Sequence, residues 1–169
     1  MNTWTQLPQF DRKEVAPTNI QQAVARSAVL PKSNTKVFAL FASKIVRGDE
    51  LLLAACRVQR IRLNRGDGTH EMIGPGGRGA PVPLLLLTNT RLVVARFHME
   101  LRSKDSYWLW TEIPLSSLGS VSAVHSGRFE IEMPLMNITA QLVFELWALR
   151  LATIRSIRDS VAAAVSRRA

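Results

Sequence analysis

Ile138-Thr139-Ala140-Gln141-Leu142-Val143-Phe144-Glu145-Leu146-Trp147-Ala148-Leu149-Arg150-Leu151-Ala152-Thr153-Ile154 changes its hydrophobic period partway along. Up to residue 146 the period is two, with Ile138, Ala140, Leu142, Phe144 and Leu146 on one face, as in a half-buried strand. From Trp147 it becomes 3.6, and Trp147, Leu151, Ile154, Ile157, Val161 and Val165 form one apolar stripe, with Arg150, Arg155, Arg158 and Asp159 outside it. A strand that runs into a terminal amphipathic helix predicts an α+β domain in which the helix docks on a sheet.

Upstream of this junction the alternation persists for most of the chain. Residues 51–63 read as one long strand with Leu52, Ala54, Cys56 and Val58 inward. The apolar phase then slips to Ile61 and Leu63, as a bulge near Gln59 would make it do. Residues 64–82 hold six of the nine glycines and read as a loop. Further strands are expected at 84–88, 92–97, 107–113, 115–124, 128–133 and 138–146, about seven in all. The first 17 residues, with Pro8 and Pro17 and no period, read as an arm. Thr18-Asn19-Ile20-Gln21 has the form of a capping box and opens a short helix over about 19–30 that Pro31 stops. A second helix over 35–46 would bury Val37, Leu40, Phe41 and Ile45. The expected division is an N-terminal arm and short helix over 1–35 and a main domain over 36–169.

Composition narrows the class. At 169 residues with 47% apolar and 21% charged side chains, the chain can build one real core. Lysine and arginine total 22 against 13 acids, a net charge of +9, and 17 of the 22 are arginine. Such a surface attracts nucleic acid, anionic lipid or acidic protein faces. The apolar run Pro83 to Leu87 suits a buried strand, and no apolar run in the chain approaches the ~20 residues of a membrane span. The beginning of the chain lacks a basic start followed by an apolar stretch, and there is one cysteine, so a cytoplasmic protein without a transmembrane segment is expected.

Two short motifs resemble those of the bacterial pleckstrin-homology-like domain families. The first is Leu87-Thr88-Asn89-Thr90-Arg91-Leu92-Val93-Val94, a strand ending in Leu-Thr, a hairpin with an arginine, and an aliphatic strand. The second is Ile113-Pro114-Leu115, followed by Leu118 and then Ser120-Val121. With the closing helix, the resemblance spans about residues 36–166. It implies a PH-like open β-barrel of about seven antiparallel strands with a C-terminal amphipathic helix, here with an N-terminal helical extension. It also implies a binding or scaffold module without catalytic residues, since members of this fold bind lipid headgroups, peptides or proteins.

Little in the sequence points to catalysis or cofactors. Gly74-Pro75-Gly76-Gly77-Arg78-Gly79 matches G-x-G-x-x-G, but a proline-rich segment and a strand follow where a dinucleotide site needs a helix N-terminus. His70, His98 and His125 have no ligand spacing, and Cys56 sits in mid-strand as a small apolar residue, so neither a metal nor a cofactor is expected. The candidate contact residues are basic and aromatic. Arg57, Arg60, Arg62 and Arg65 have no acid between them, and Arg78 lies in the loop that follows. Trp108 and Trp110 share a strand face that either packs under the N-terminal helices or meets a partner. The expected function is non-enzymatic, with a protein partner or self-assembly foremost. The alternative is an anionic ligand, a phospholipid headgroup or nucleic acid, held by the arginines. The strand Leu84–Thr88 carries no base, which places lipid behind protein.

Overall fold

The run Leu84-Leu85-Leu86-Leu87 is buried throughout, so both faces of its strand must be covered. The computed structural model, which describes residues 5–8, 13–26, 32–73, 83–99, 106–144 and 151–167, shows how. Strand β5 (Leu84–Thr88) lies inside a five-stranded antiparallel sheet, sheet A. Its neighbours are β1 (Thr5–Pro8), β7 (Ser106–Pro114), β6 (Arg91–Met99) and β2 (Leu52–Arg57), in the order β1-β7-β6-β5-β2. Sheet B has four strands, β4 (His70–Ile73), β3 (Arg60–Arg65), β9 (Ile138–Val143) and β8 (Arg128–Met133), in the order β4-β3-β9-β8.

One face of sheet A packs Leu85, Leu87, Leu92 and Val94 against sheet B residues Ile61, Leu63, Phe129, Ile131 and Leu142. Helix α3 (Leu151–Ser166) adds Ile154, Ile157, Val161 and Ala164 to this core. Leu151, expected in the stripe, is instead exposed, because the buried face begins one turn later. The other face of sheet A packs Ala55, Leu84, Leu86, Val93 and Ala95 under helices α1 (Thr18–Arg26) and α2 (Lys32–Ile45). In α2, Phe38 through Ala42 are buried together with Ile45, whereas Val37 faces solvent. The layers therefore run helices, sheet A, sheet B, with α3 sharing the inter-sheet core.

This corrects the expected single open barrel of about seven strands. Nine strands are described, in two antiparallel sheets of five and four, neither closed into a barrel, with three helices. The long strand over 51–63 is cut where the bulge was expected. The Val58 N–H donates to the Pro83 carbonyl beside sheet A (3.0 Å), and the next N–H, that of Gln59, donates to Val143 in sheet B (2.9 Å). Successive amides thus serve different sheets, and β2 and β3 become separate strands. The arm contributes β1, which pairs Thr5 with Trp110 and Leu7 with Trp108. The segment read as a loop over 64–82 contributes β4, paired with β3 from Ile61↔Ile73 to Asn64↔His70.

The strand expected over 115–124 is replaced by a 3-10 turn, Leu115–Ser117, and an irregular edge along β8. There Gly119 donates to Glu132, Glu132 to Ser120 and Ser122 to Glu130, at 2.7–3.0 Å. Gly119 is needed at this edge, since a Cβ would sit 2.9 Å from the Pro134 ring. Arg158 of α3 donates to the Val121 and Ser122 carbonyls, both at 2.8 Å, and ties the helix to this segment.

Candidate functional site

The Thr88–Arg91 connection between β5 and β6 carries an arginine to which the sequence alone gives no role. Thr88 Oγ1 accepts the N–H groups of Thr90 (3.1 Å) and Arg91 (3.0 Å), which closes the turn. Residue alternation then sends the Arg91 side chain to the helix side of sheet A, where it is 3% exposed. Its Nε and Nη2 donate to Glu50 Oε1 and Oε2, both at 2.8 Å, a two-point fork. Nη2 also donates to the Ile45 carbonyl (2.7 Å), one of the unpaired acceptors that end α2. Nη1 donates to Glu112 of β7, and the guanidinium lies 5.9 Å from the Trp110 ring centre.

Glu50 is enclosed in turn. Oε2 accepts the Arg47 N–H (2.9 Å), and Oε1 faces the hydroxyls of Thr90 and of Thr88 (3.2 Å for the latter). The Arg91 fork, opposed by burial and assisted by the Arg47 N–H and the Thr90 hydroxyl, lowers the Glu50 carboxyl from 4.5 to about 2. Arg91 is pushed further up by the same bonds to Glu50. The outer layer is half exposed, with Arg47 Nη2 3.2 Å from both Glu112 oxygens. The Arg91 guanidinium and the Glu50 carboxylate are matched within the cluster, which joins the end of α2, the start of β2, the β5–β6 turn and β7. Its chemistry is that of a cross-link.

The outer face of sheet B is different. Strand alternation puts Ile61 and Leu63 inward and Arg60 and Arg62 outward, both exposed. Arg60 pairs in register with Val143 of β9, and Val143 pairs on its other side with exposed Arg128 of β8. Arg60, Arg62 and Arg128 thus share one face around half-buried Val143, and among the described residues none has an acid within ion-pair distance. On the same face Glu130 accepts from Gln141 (2.9 Å), and Glu132 accepts from Ser120 (2.7 Å).

The arginine group read from the sequence is therefore divided. Arg60 and Arg62 stay together. Arg65 has the opposite parity on β3 and pairs with Glu71 at 3.2 Å. Arg57, half-buried on β2, follows Ala55 to the helix side of sheet A. Arg78 lies outside the described residues. Arg128, 66 positions beyond Arg62, was missed because only the β3-β9-β8 pairing brings it alongside. Trp110 is half-buried against the helix-side cluster, and its Nε1 has no hydrogen-bond partner among the described residues. Trp108 shares its backbone face, two residues along β7, while its side chain lies outside the described residues.

Cys56 is fully buried in the inter-sheet core, and burial pushes its thiol up to about 12. Among the described residues no three of His, Cys, Asp and Glu converge as a metal site. No described helix is long and apolar enough to cross a membrane. The chain matches no family model, and a search of curated proteins returns no match, so the site is read from its own geometry.

Proposed function

We propose that this chain is a non-catalytic binding or assembly module of the cytoplasm that engages a protein partner, or a second copy of itself, through the outer face of sheet B. The observation that carries the reading is the placement of Arg60, Arg62 and Arg128 on one exposed sheet face without a described acidic partner. Three exposed arginines without an ion-pair partner among the described residues favour association with a negative surface. The opposite side of the molecule supports a scaffold role, because Arg91 and Glu50 lock the helical layer to sheet A. A single, buried thiol accords with a reducing compartment.

The test is cross-linking with mass spectrometry on the tagged full chain, beside size-exclusion chromatography with light scattering. Cross-links that map to β3, β8 and β9, and that vanish in the Arg60→Glu/Arg62→Glu variant, support the reading. A monomer that carries nucleic acid, recognised by high absorbance at 260 nm, or that sediments with anionic vesicles, overturns it in favour of an anionic ligand. A chain that forms no such cross-links overturns it as well.

A further inference from the structure

We propose that Arg60, Arg62 and Arg128 form a receptor for an extended acidic peptide segment with carboxylates at alternate positions. This rests on the reading of the chain as a protein-binding module and names the chemistry of its partner.

Spacing is the first argument. Arg60 and Arg62 are two residues apart on one strand, about 6.7 Å, which is also the repeat between same-side residues of an extended peptide. Arg60 and Arg128 flank Val143 from strands on either side, about 9.6 Å apart. Carboxylates at positions i and i+2 of a strand-like peptide therefore meet Arg60 and Arg62, and a third acid beside them reaches Arg128. Each guanidinium offers paired N–H groups to two carboxylate oxygens. Half-buried Val143 supplies an apolar floor for a side chain between them.

Charge sets the direction. Glu130 lies across Gln141 from Arg62, and Glu132 stands one step farther along β8, so an acidic segment is favoured over β3 and the Arg128 end of β8 and repelled from the rest of β8. Other polyanions fit less well. Single-stranded nucleic acid binds by stacking bases on aromatic rings, and the described residues of this face include no Phe, Tyr or Trp. Met72 beside Arg62 is the single exposed large apolar side chain described on this face, and the exposed pair Leu135 and Met136 lies beyond the far end of β8, about 17 Å along the strand from Arg128. A membrane that received this tip would hold Arg60 and Arg128 farther away than the ~8 Å screening length of physiological salt.

Fluorescence anisotropy tests this with the full chain and a labelled peptide carrying glutamate at alternate positions, beside an isomer with its glutamates in one block. The alternating peptide should bind tighter than the blocked isomer at low ionic strength, and the complex should weaken with salt. Arg60→Gln/Arg62→Gln and Arg128→Gln should each raise Kd by about tenfold or more. Arg155→Gln, the same single charge loss as Arg128→Gln but on the exposed side of α3, should leave Kd unchanged, and all variants should melt as the wild type does. Equal losses in Arg155→Gln, no preference for alternation, or no binding at low salt would each overturn the proposal, as would tighter triad-dependent binding of single-stranded DNA or anionic vesicles. If the peptide fails while sheet B cross-links persist in the wild type and vanish in Arg60→Glu/Arg62→Glu, the acidic-segment proposal falls and the module reading stands. If both fail, both fall.

Discussion

Replacing Arg91 with methionine should be the most damaging single change on the helix side of sheet A. The substitution keeps a long apolar stem against Trp110 and removes the guanidinium. Glu50, whose side chain is 2% exposed, would then keep a buried carboxylate without its counter-ion, and the Ile45 carbonyl would lose its 2.7 Å donor. Breaking a buried pair from one side costs about 3–5 kcal/mol. Against a domain margin of about 5–15 kcal/mol, that is a large fraction. At about 2–4 °C per kcal/mol for a chain of this size, the melting temperature should fall by roughly 6–20 °C.

Urea unfolding followed by circular dichroism measures the loss, and amide exchange should quicken first at the end of α2, which Arg91 fastens. The double variant Glu50→Leu/Arg91→Met should recover much of the stability, because an apolar pair of similar volume does not strand a charge. A loss below about 1 kcal/mol for Arg91→Met, or a double variant weaker than the single one, would refute the cross-link.

Other expectations follow from single observations. Glu50 has a folded pKa of about 2 against 4.5 unfolded, so its contribution is present above about pH 4.5 and is lost as pH falls toward 2. The unfolding free energy from urea titrations should drop over that window by up to about 3 kcal/mol, and Glu50→Gln should flatten that part of the profile. Cys56, with its thiol pushed up to about 12 by burial, should resist a disulfide-exchange reagent in the native protein at pH 8 and react at once in urea. Ile154→Ala, at a fully buried position where α3 enters the inter-sheet core, should cost about 2–5 kcal/mol in chemical unfolding, whereas Leu151→Ala on the exposed first turn should cost little.

Part of the candidate site was legible in alternation alone. Arg60 and Arg62 share parity on one strand and Arg65 does not, so the exclusion of Arg65 was available from the sequence before its bond to Glu71 was seen. The Glu50–Arg91 pair was not legible. Its members are 41 positions apart, and Glu50 follows a helix in a Gly-Asp-Glu turn that reads as solvent-facing. The motif around Arg91 was noticed for its resemblance, yet only burial between a sheet and a helix end gives that arginine its task.

What the sequence determined by itself is local. Period two at 128–133 and 138–143, and period 3.6 in α1, α2 and α3, follow from where apolar side chains must lie for one face to leave water. The unbroken leucines of β5 further require two covered faces, because no strand so apolar can leave one side in solvent. Which sheet each strand joins was decided only in three dimensions. The Val58 and Gln59 amides divide one long strand between two sheets, and β1 and β4 form because open strand edges at β7 and β3 can accept them. Backbone hydrogen bonding is indifferent to sequence, so pairing among distant strands is settled by which arrangement closes both cores at once. That same pairing, and nothing in the local sequence, sets Arg128 beside Arg60.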